Sequence, residues 1–390
     1  MGPKGFNAQT DDGRFVFNIR FPFMFDAKAT IDEEQPLNGD AFYPRFFGPI
    51  ISATLFKNVT GRLIVGFQDR SVTVVNAWLD VAVTSWLHLR VGKILSPLSL
   101  ERATLPLRIT LLEHGLASTL LPVSEFGVTL WGASDDKLIE YTAMLSNGAI
   151  ANAHYEVDQD PGKDLIGRVY LKPFVRTGIP ALAGFGLGIG ASYGVHKGTA
   201  ANPLTGNART LGGRVFFSTI VNAMEPEATV FADGKIIRLV PQASYVAGPL
   251  ALYAEYIRTT ERLKAGSARA DVTHNAYHAV AAVVLTGENA VLLDVLSPKK
   301  PFNWDEGHFG AFELVARAER IDYDKDLFPR FANPAAAAKN ATAFGGGFNW
   351  IPTDGVRLMV NYEYTKFGAA QGAAKLRPEH LLGLRLQALF

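Results

Sequence analysis

The side chains that could do chemistry in this chain are mostly arginines and lysines at alternating positions. Arg20, Arg62, Arg90, Arg168, Lys172, Arg238, Arg357 and Arg385 fall on the polar side of stretches whose intervening residues are largely apolar. Asp26, Glu140, Glu255 and Glu363 share that side with the opposite charge. Arginine stays ionised, and its planar fork matches the oxygens of a phosphate. Along a water path between low-dielectric walls, such groups draw anions in and repel cations. The plainer reading pairs each cation with a carboxylate on the wall, away from any path. Lys93, Arg102, Arg108, Arg214, Lys299 and Lys300 form a second set, in or beside three long stretches where alternation fails.

Other chemistries find less support. Ser99, Glu113 and His114 share one of these stretches, so a hydrolase can be imagined. The chain has no G-x-S-x-G, and Glu113 and His114 are adjacent. The run Gly184-Phe185-Gly186-Leu187-Gly188-Ile189-Gly190 misses the G-x-G-x-x-G spacing of a dinucleotide loop. It reads better as a strand with one bare face, where something packs close. Cysteine is absent, which excludes disulfides and thiol chemistry and fits an oxidising compartment. Lys and Arg total 38 against 37 Asp and Glu, so no global charge points to nucleic acid. No cofactor and no metal site is expected.

The elements that must position these groups are strands. In the last eleven residues Leu382, Leu384, Leu386, Ala388 and Phe390 fall on one side, with Gly383, Arg385 and Gln387 on the other. Residues 15–27 repeat the pattern: Phe15, Phe17, Ile19, Phe21, Phe23 and Phe25 lie opposite Asn18, Arg20, Pro22, Met24 and Asp26. Such a face is an aggregation hazard in water but is at home in lipid. Pro22 predicts a bulge or a gap in the ladder. Of the residues, 48% are hydrophobic and 19% charged, and apolar runs are too short for a membrane-spanning helix. Apolarity spread over every second residue is the signature of a transmembrane barrel. Alternation fails at residues 94–125, 197–233 and 286–307. With residues 209–219 assigned to the second of these, sixteen strands remain, an even number that suits closure. Long loops then fall at one end and short turns at the other, except that 286–307 lies on the short-turn side. Trp78, Trp86, Trp131 and Trp350 are candidates for interfacial girdles or for subunit contacts. Residues 1–13 are set apart as an N-terminal segment from a single barrel at 14–390. The start lacks the apolar core of a signal peptide and reads as a mature chain with an artificial beginning.

Several short motifs appear in a fixed order. They are Leu89-Arg90-Val91-Gly92-Lys93 with Pro97-Leu98-Ser99-Leu100-Glu101-Arg102, then Pro241-Gln242-Ala243-Ser244-Tyr245, and Gly248-Pro249-Leu250 with Ala254-Glu255-Tyr256. Val284-Leu285-Thr286-Gly287-Glu288, Pro298-Lys299-Lys300-Pro301-Phe302 and Phe312-Glu313-Leu314-Val315-Ala316-Arg317 follow. Phe348-Asn349-Trp350 and Val356-Arg357-Leu358-Met359-Val360-Asn361-Tyr362 close the series. In these motifs, over nearly its whole length, the chain resembles the phosphate-selective porins O and P of Gram-negative outer membranes. The resemblance implies an all-β, 16-stranded antiparallel transmembrane β-barrel with three segments folded into the lumen as constriction loops. It implies a homotrimer among outer-membrane lipids and lipopolysaccharide, passing small anions such as phosphate by passive diffusion. The basic residues of the second set would then line the constriction, and those of the first the lumen wall.

Four places depart from the family. The second strand reads Tyr43-Pro44-Arg45-Phe46-Phe47 where consecutive arginines are usual. The exit of the first long stretch reads Val123-Ser124-Glu125-Phe126, and the late turn Val291-Leu292-Leu293-Asp294-Val295-Leu296, where basic residues are usual. The run Lys235-Ile236-Ile237-Arg238 is apolar where arginine is common. All four remove positive charge or add bulk, and so argue for weakened or altered selectivity. The alternatives are a general nonselective pore and a largely blocked or hydrophobic lumen, natural or engineered.

Overall fold

The computed structural model describes residues 5–31, 41–68, 71–154, 158, 160–370 and 375–390. The alternating stretches form one closed antiparallel barrel of sixteen strands. The first is β1 (Phe15–Arg20 and Pro22–Ile31), followed by β2 (Ala41–Phe47 and Ile50–Leu55), β3 (Val59–Gln68), β4 (Ser71–Ala82) and β5 (His88–Leu95). Next come β6 (Ser124–Ala133), β7 (Ile139–Ser146), β8 (Asp164–Leu171), β9 (Phe185–Lys197), β10 (Phe231–Ala247) and β11 (Leu250–Ala265). The last five are β12 (Ala268–Val284), β13 (Ala311–Asp322), β14 (Ala332–Thr353), β15 (Val356–Ala369) and β16 (Glu379–Leu389).

Closure is made by β16 on the upper part of β1, in a register running from His380 opposite Ile31 to Leu389 opposite Pro22. Parity behaves as the sequence requires. Leu382, Leu384 and Leu386 are exposed, while Arg385 and Gln387 are buried inside. Phe15, Phe17, Phe21 and Phe25 likewise face out, and Met24 and Asp26 face in. The expected gap lies at Phe21, just before Pro22, whose ring removes a ladder donor. Here β1 also changes partner: below the gap Val16–Ile19 pair with a short strand, Phe6–Gln9, and above it β16 takes over. The starting residues 1–4 lie outside the described residues.

Turns at one end are short, such as Gly248-Pro249 and Asp354-Gly355. Residues 96–123 and 198–230 leave from the other end. The second carries a small hairpin, Asn207–Arg209 with Val215–Thr219, which pairs Phe217 with Ala337 of β14. The hairpin lies off the wall, because β9 pairs directly with β10. Residues 285–310 connect β12 to β13 at the short-turn end.

All three segments pack against inward-facing apolar side chains. Leu98, Leu116, Leu120 and Leu121 join Met144, Ile166, Val240 and Ile257 of the wall in the largest cluster. Leu111 meets Tyr253, Val280 and Leu296 in a second. Leu107 meets Met24, Phe46, Ile50, Ile64 and Val75 in a third, with Leu105 and Val295 packed beside it. The glycine face of β9 receives this packing. A Cβ at Gly190 would lie 2.0 Å from the Leu98 carbonyl oxygen. Only a residue without a side chain admits the loop backbone so closely.

Candidate ion path

Near the short-turn end, four guanidiniums converge on one sector of the lumen. Strand parity turns Arg20 of β1, Arg62 of β3 and Arg90 of β5 inward, and residues 96–123 bring Arg108 to them. Arg62 feels the charges of Arg20, Arg108 and Arg90. Aromatic rings separate two of the cations. The Arg62 guanidinium lies 5.3 Å from the ring of Trp78, and that of Arg90 lies 4.2 Å from Trp78 and 4.7 Å from Trp131. A cation over an indole face is stabilised by the ring quadrupole. Asp80 anchors this stack: Arg90 Nε donates to it at 2.8 Å and Trp131 Nε1 at 2.6 Å. Among the described residues the other carboxylate here is Asp294, from residues 285–310, 3.4 Å from Arg108 Nε. Arg62 Nε donates to the Ser52 hydroxyl at 3.3 Å, and Arg20 Nε is buried with no hydrogen-bond partner. Four arginines therefore face two aspartates, and the sector keeps a positive excess.

Two residues further along β3, and four along β1, the inward positions are Ile64 and Met24. With Phe46, Leu105 and Leu107 they form an apolar neck at the floor of a cavity of about 390 Å³. Toward the long-loop end its lining is again basic, with Lys28, Arg45 and Arg209. Glu113 clamps its cations. Arg45 Nε donates to Glu113 Oε1 at 2.6 Å, Arg385 Nη2 at 3.3 Å and Lys28 Nζ at 3.4 Å. Burial pushes the Glu113 carboxyl up, but Arg45 and Lys28 outweigh it and hold it well below the usual range. His154 also lines the cavity. Burial, reinforced by Lys93 and Arg102, lowers its imidazole to about 4, so it is neutral at physiological pH.

In the opposite half of the lumen, residues 96–123 are bonded to the wall. Glu255 accepts from Ser99 Oγ at 2.9 Å and the Leu100 amide at 2.7 Å, and Glu101 accepts from Tyr253 and the Gly115 amide, both at 3.0 Å. Arg317 donates to the Glu113 carbonyl at 2.8 Å and to Glu363 at 2.6 Å. These bonds hold residues 96–123 against β11 to β15, and the 390 Å³ cavity lies on their other side, beside β1 to β5.

The sequence candidates are thus divided. Arg20, Arg62, Arg90 and Arg108 come together. Arg385 is fully buried, bidentate to Asp26 at 2.6 and 2.8 Å. Arg238 is ion-paired to Asp164 at 3.0 Å, and Arg168 donates to Gln242 at 2.9 Å. Arg357 donates to the Leu107 carbonyl at 3.2 Å and to Gln387 at 3.1 Å. Arg102 lines the cavity wall but turns its donors back to the Ser118 carbonyl at 2.7 and 2.9 Å and Asn152 at 3.0 Å, which braces the loop. Lys93 is buried, 5.6 Å from the Phe126 ring. Arg214 sits at the long-loop end, donating to the Arg377 carbonyl at 2.7 Å. Lys172, Lys299 and Lys300 lie at the short-turn end, where the Lys299 amide donates to Glu288 at 3.0 Å. Glu140 stays in a partly buried position on β7.

Lys28, Arg45 and Arg209 were missing from the candidates. Parity of β1 points Lys28 inward, two residues after Asp26, so that signal was present. Arg45 lay in a stretch read for what it lacked, and Arg209 in a stretch without a period. Trp78 and Trp131 are a correction to the girdle expectation. Both point inward, because each shares parity with the polar face and meets a guanidinium there.

Comparison with known proteins gives the geometry its context. Among curated proteins no sequence matches this one. Solved structures do match. The in-vitro folded OmpT of Vibrio cholerae is 13% identical, with 98% of this chain and 99% of that chain covered at a TM-score of 0.60. Its trimer form is 12% identical over 96% and 99%, also at 0.60. The anion-selective porin of Comamonas acidovorans is 10% identical over 96% and 100%, at 0.56. At these identities the structures establish the shared barrel fold. A family model described as phosphate-selective porin O and P matches residues 59–390. The chain belongs to that family, and is an outer-membrane channel protein of the porin type.

Proposed function

We propose that this protein is a passive diffusion pathway for small inorganic anions of the size and charge of phosphate. The carrying observation is the convergence of Arg20, Arg62, Arg90 and Arg108, of which only Arg90 and Arg108 meet an aspartate among the described residues, together with the basic cavity at Lys28, Arg45 and Arg209. An anion entering the cavity gains from its cations, crosses the neck beside Met24 and Leu107, and gains again at the arginines. The neck sets a cost of partial dehydration, so selectivity for phosphate over chloride is weak. No catalytic role is assigned. Three copies assemble as a trimer, a reading supported by the trimer form of the V. cholerae relative. Residues 14–390 act as one barrel, with the outward apolar face in contact with outer-membrane lipid and lipopolysaccharide.

A second reading is favoured by the three apolar clusters, which fill much of the lumen. In it the neck keeps water out and the barrel conducts little. Single-channel recording in a planar bilayer under a KCl gradient separates the two. The anion reading expects measurable conductance, a reversal potential toward chloride, and block by added phosphate. Conductance near zero would sink it in favour of the filled lumen.

A further inference from the structure

Residues 96–123 enter the lumen from the long-loop end, and residues 285–310 from the short-turn end. Their apolar side chains meet through Leu107 and Val295, and through Leu111 and Leu296. Beside these contacts, the ion pair that joins them among the described residues is Arg108 with Asp294. Both side chains are half exposed, at 45% and 54%, although they lie inside the barrel. The contact therefore borders the water path.

We infer that Asp294 is a specificity-determining residue: a tethered carboxylate that occupies the anion subsite at Arg108 and must be displaced by the permeating ion. The inference rests on the anion reading above. Three features of the structure support it. The carboxylate and a phosphate oxygen are interchangeable partners for a guanidinium. The contact at Nε is 3.4 Å between half-exposed side chains, against the buried hydrogen bonds of 2.6 and 2.8 Å from Arg385 to Asp26, so it is the weaker kind of pair. Arg20 and Arg62 stand beside Arg108 without a carboxylate of their own among the described residues, so an incoming anion meets more positive charge there than Asp294 neutralises. A multiply charged anion able to bridge several guanidiniums displaces Asp294 more readily than chloride does. The tether thus raises selectivity for phosphate-like ions while lowering their absolute affinity. Displacement also breaks the polar contact between the two infolded segments, leaving their apolar contacts in place.

The test is a double-mutant cycle on phosphate block of chloride current, with Asp294→Asn and Arg108→Gln in the full-length protein. Asp294→Asn is isosteric and Arg108→Gln keeps a shorter polar side chain without the charge, and correct folding is checked by heat-modifiable gel mobility. A competing tether predicts that Asp294→Asn tightens phosphate block several-fold and reduces the preference for phosphate over chloride. In the Arg108→Gln background the same substitution should change block less than two-fold. An equal effect of Asp294→Asn in both backgrounds overturns the inference, because a diffuse field acts whether or not Arg108 is present. No effect in either background overturns it as well, while an anion-leaning wild type keeps the anion reading intact. A wild type that conducts without anion preference removes that reading and this inference with it.

Discussion

At the residue scale the decisive groups are carboxylates. Luminal arginines are plentiful, and each one's role is set by whether an acid reaches it. Glu113 gathers Arg45, Lys28 and Arg385 around one buried carboxylate. Removing one partner of a buried ionic cluster leaves its other charges uncompensated, at a cost of about 3–5 kcal/mol. Glu113→Gln should therefore lower stability by about that amount, read from urea unfolding of the reconstituted barrel. The sign with pH follows. Its carboxyl is depressed in the folded state, so its contribution is present above the ordinary Glu range near pH 4.5 and is lost as pH falls toward its folded value. The wild type should lose stability on acidification through that window, and the Gln variant should lose less of it.

At the element scale, the infolded segments are held by two different faces. Buried polar groups, Glu255 on β11, Arg317 and Glu319 on β13 and Asn361 on β15, bond residues 96–123, while the bare glycine face of β9 lets Leu98 approach. Gly190→Val places methyl groups where the Leu98 backbone sits. Overpacking of this kind costs about 1–3 kcal/mol. The loop should shift toward the open sector, and conductance should fall. The reverse change is Leu107→Ala, which opens the neck below the cavity. It should raise single-channel conductance about two-fold or more in a bilayer recording, with the reversal potential still toward chloride. Unchanged conductance would show that the neck does not limit the current.

At the scale of the whole molecule the seam between β1 and β16 decides whether there is a barrel at all. Unpaired strand edges are not tolerated in hydrocarbon. The seam carries a ladder from His380 to Leu389, the Phe21 amide donating to the Phe390 carbonyl at 2.6 Å, and the buried Arg385–Asp26 pair across it. Arg385→Met leaves Asp26 charged and unpaired within the wall. The expected outcome is a loss of about 3–5 kcal/mol and a lower midpoint for the heat-induced mobility shift. The double variant Arg385→Met with Asp26→Leu should recover much of that loss, since no charge is then left uncompensated.

Strand parity determined which side chains face in, because a residue's side on a strand depends on the backbone period alone. It placed the outward phenylalanines of β1, the outward leucines of β16, and Arg20, Arg62, Arg90 and Arg385 inside. It also marked the glycine face of β9 as a place of close packing, and the three segments without alternation as the ones lacking a place in the wall. Parity is silent about distance between strands, so it could not tell Arg62, which has no acid among the described residues, from Arg238, which has Asp164. It turns Trp78 and Trp131 inward with the polar face, but could not say that they stack on arginines there. Only the tertiary structure set Arg108 beside Arg20 of the wall and Asp294, because Arg108 and Asp294 lie on segments entering from opposite ends of the barrel. Their meeting depends on how the loops fill the lumen, through packing among residues far apart in the chain.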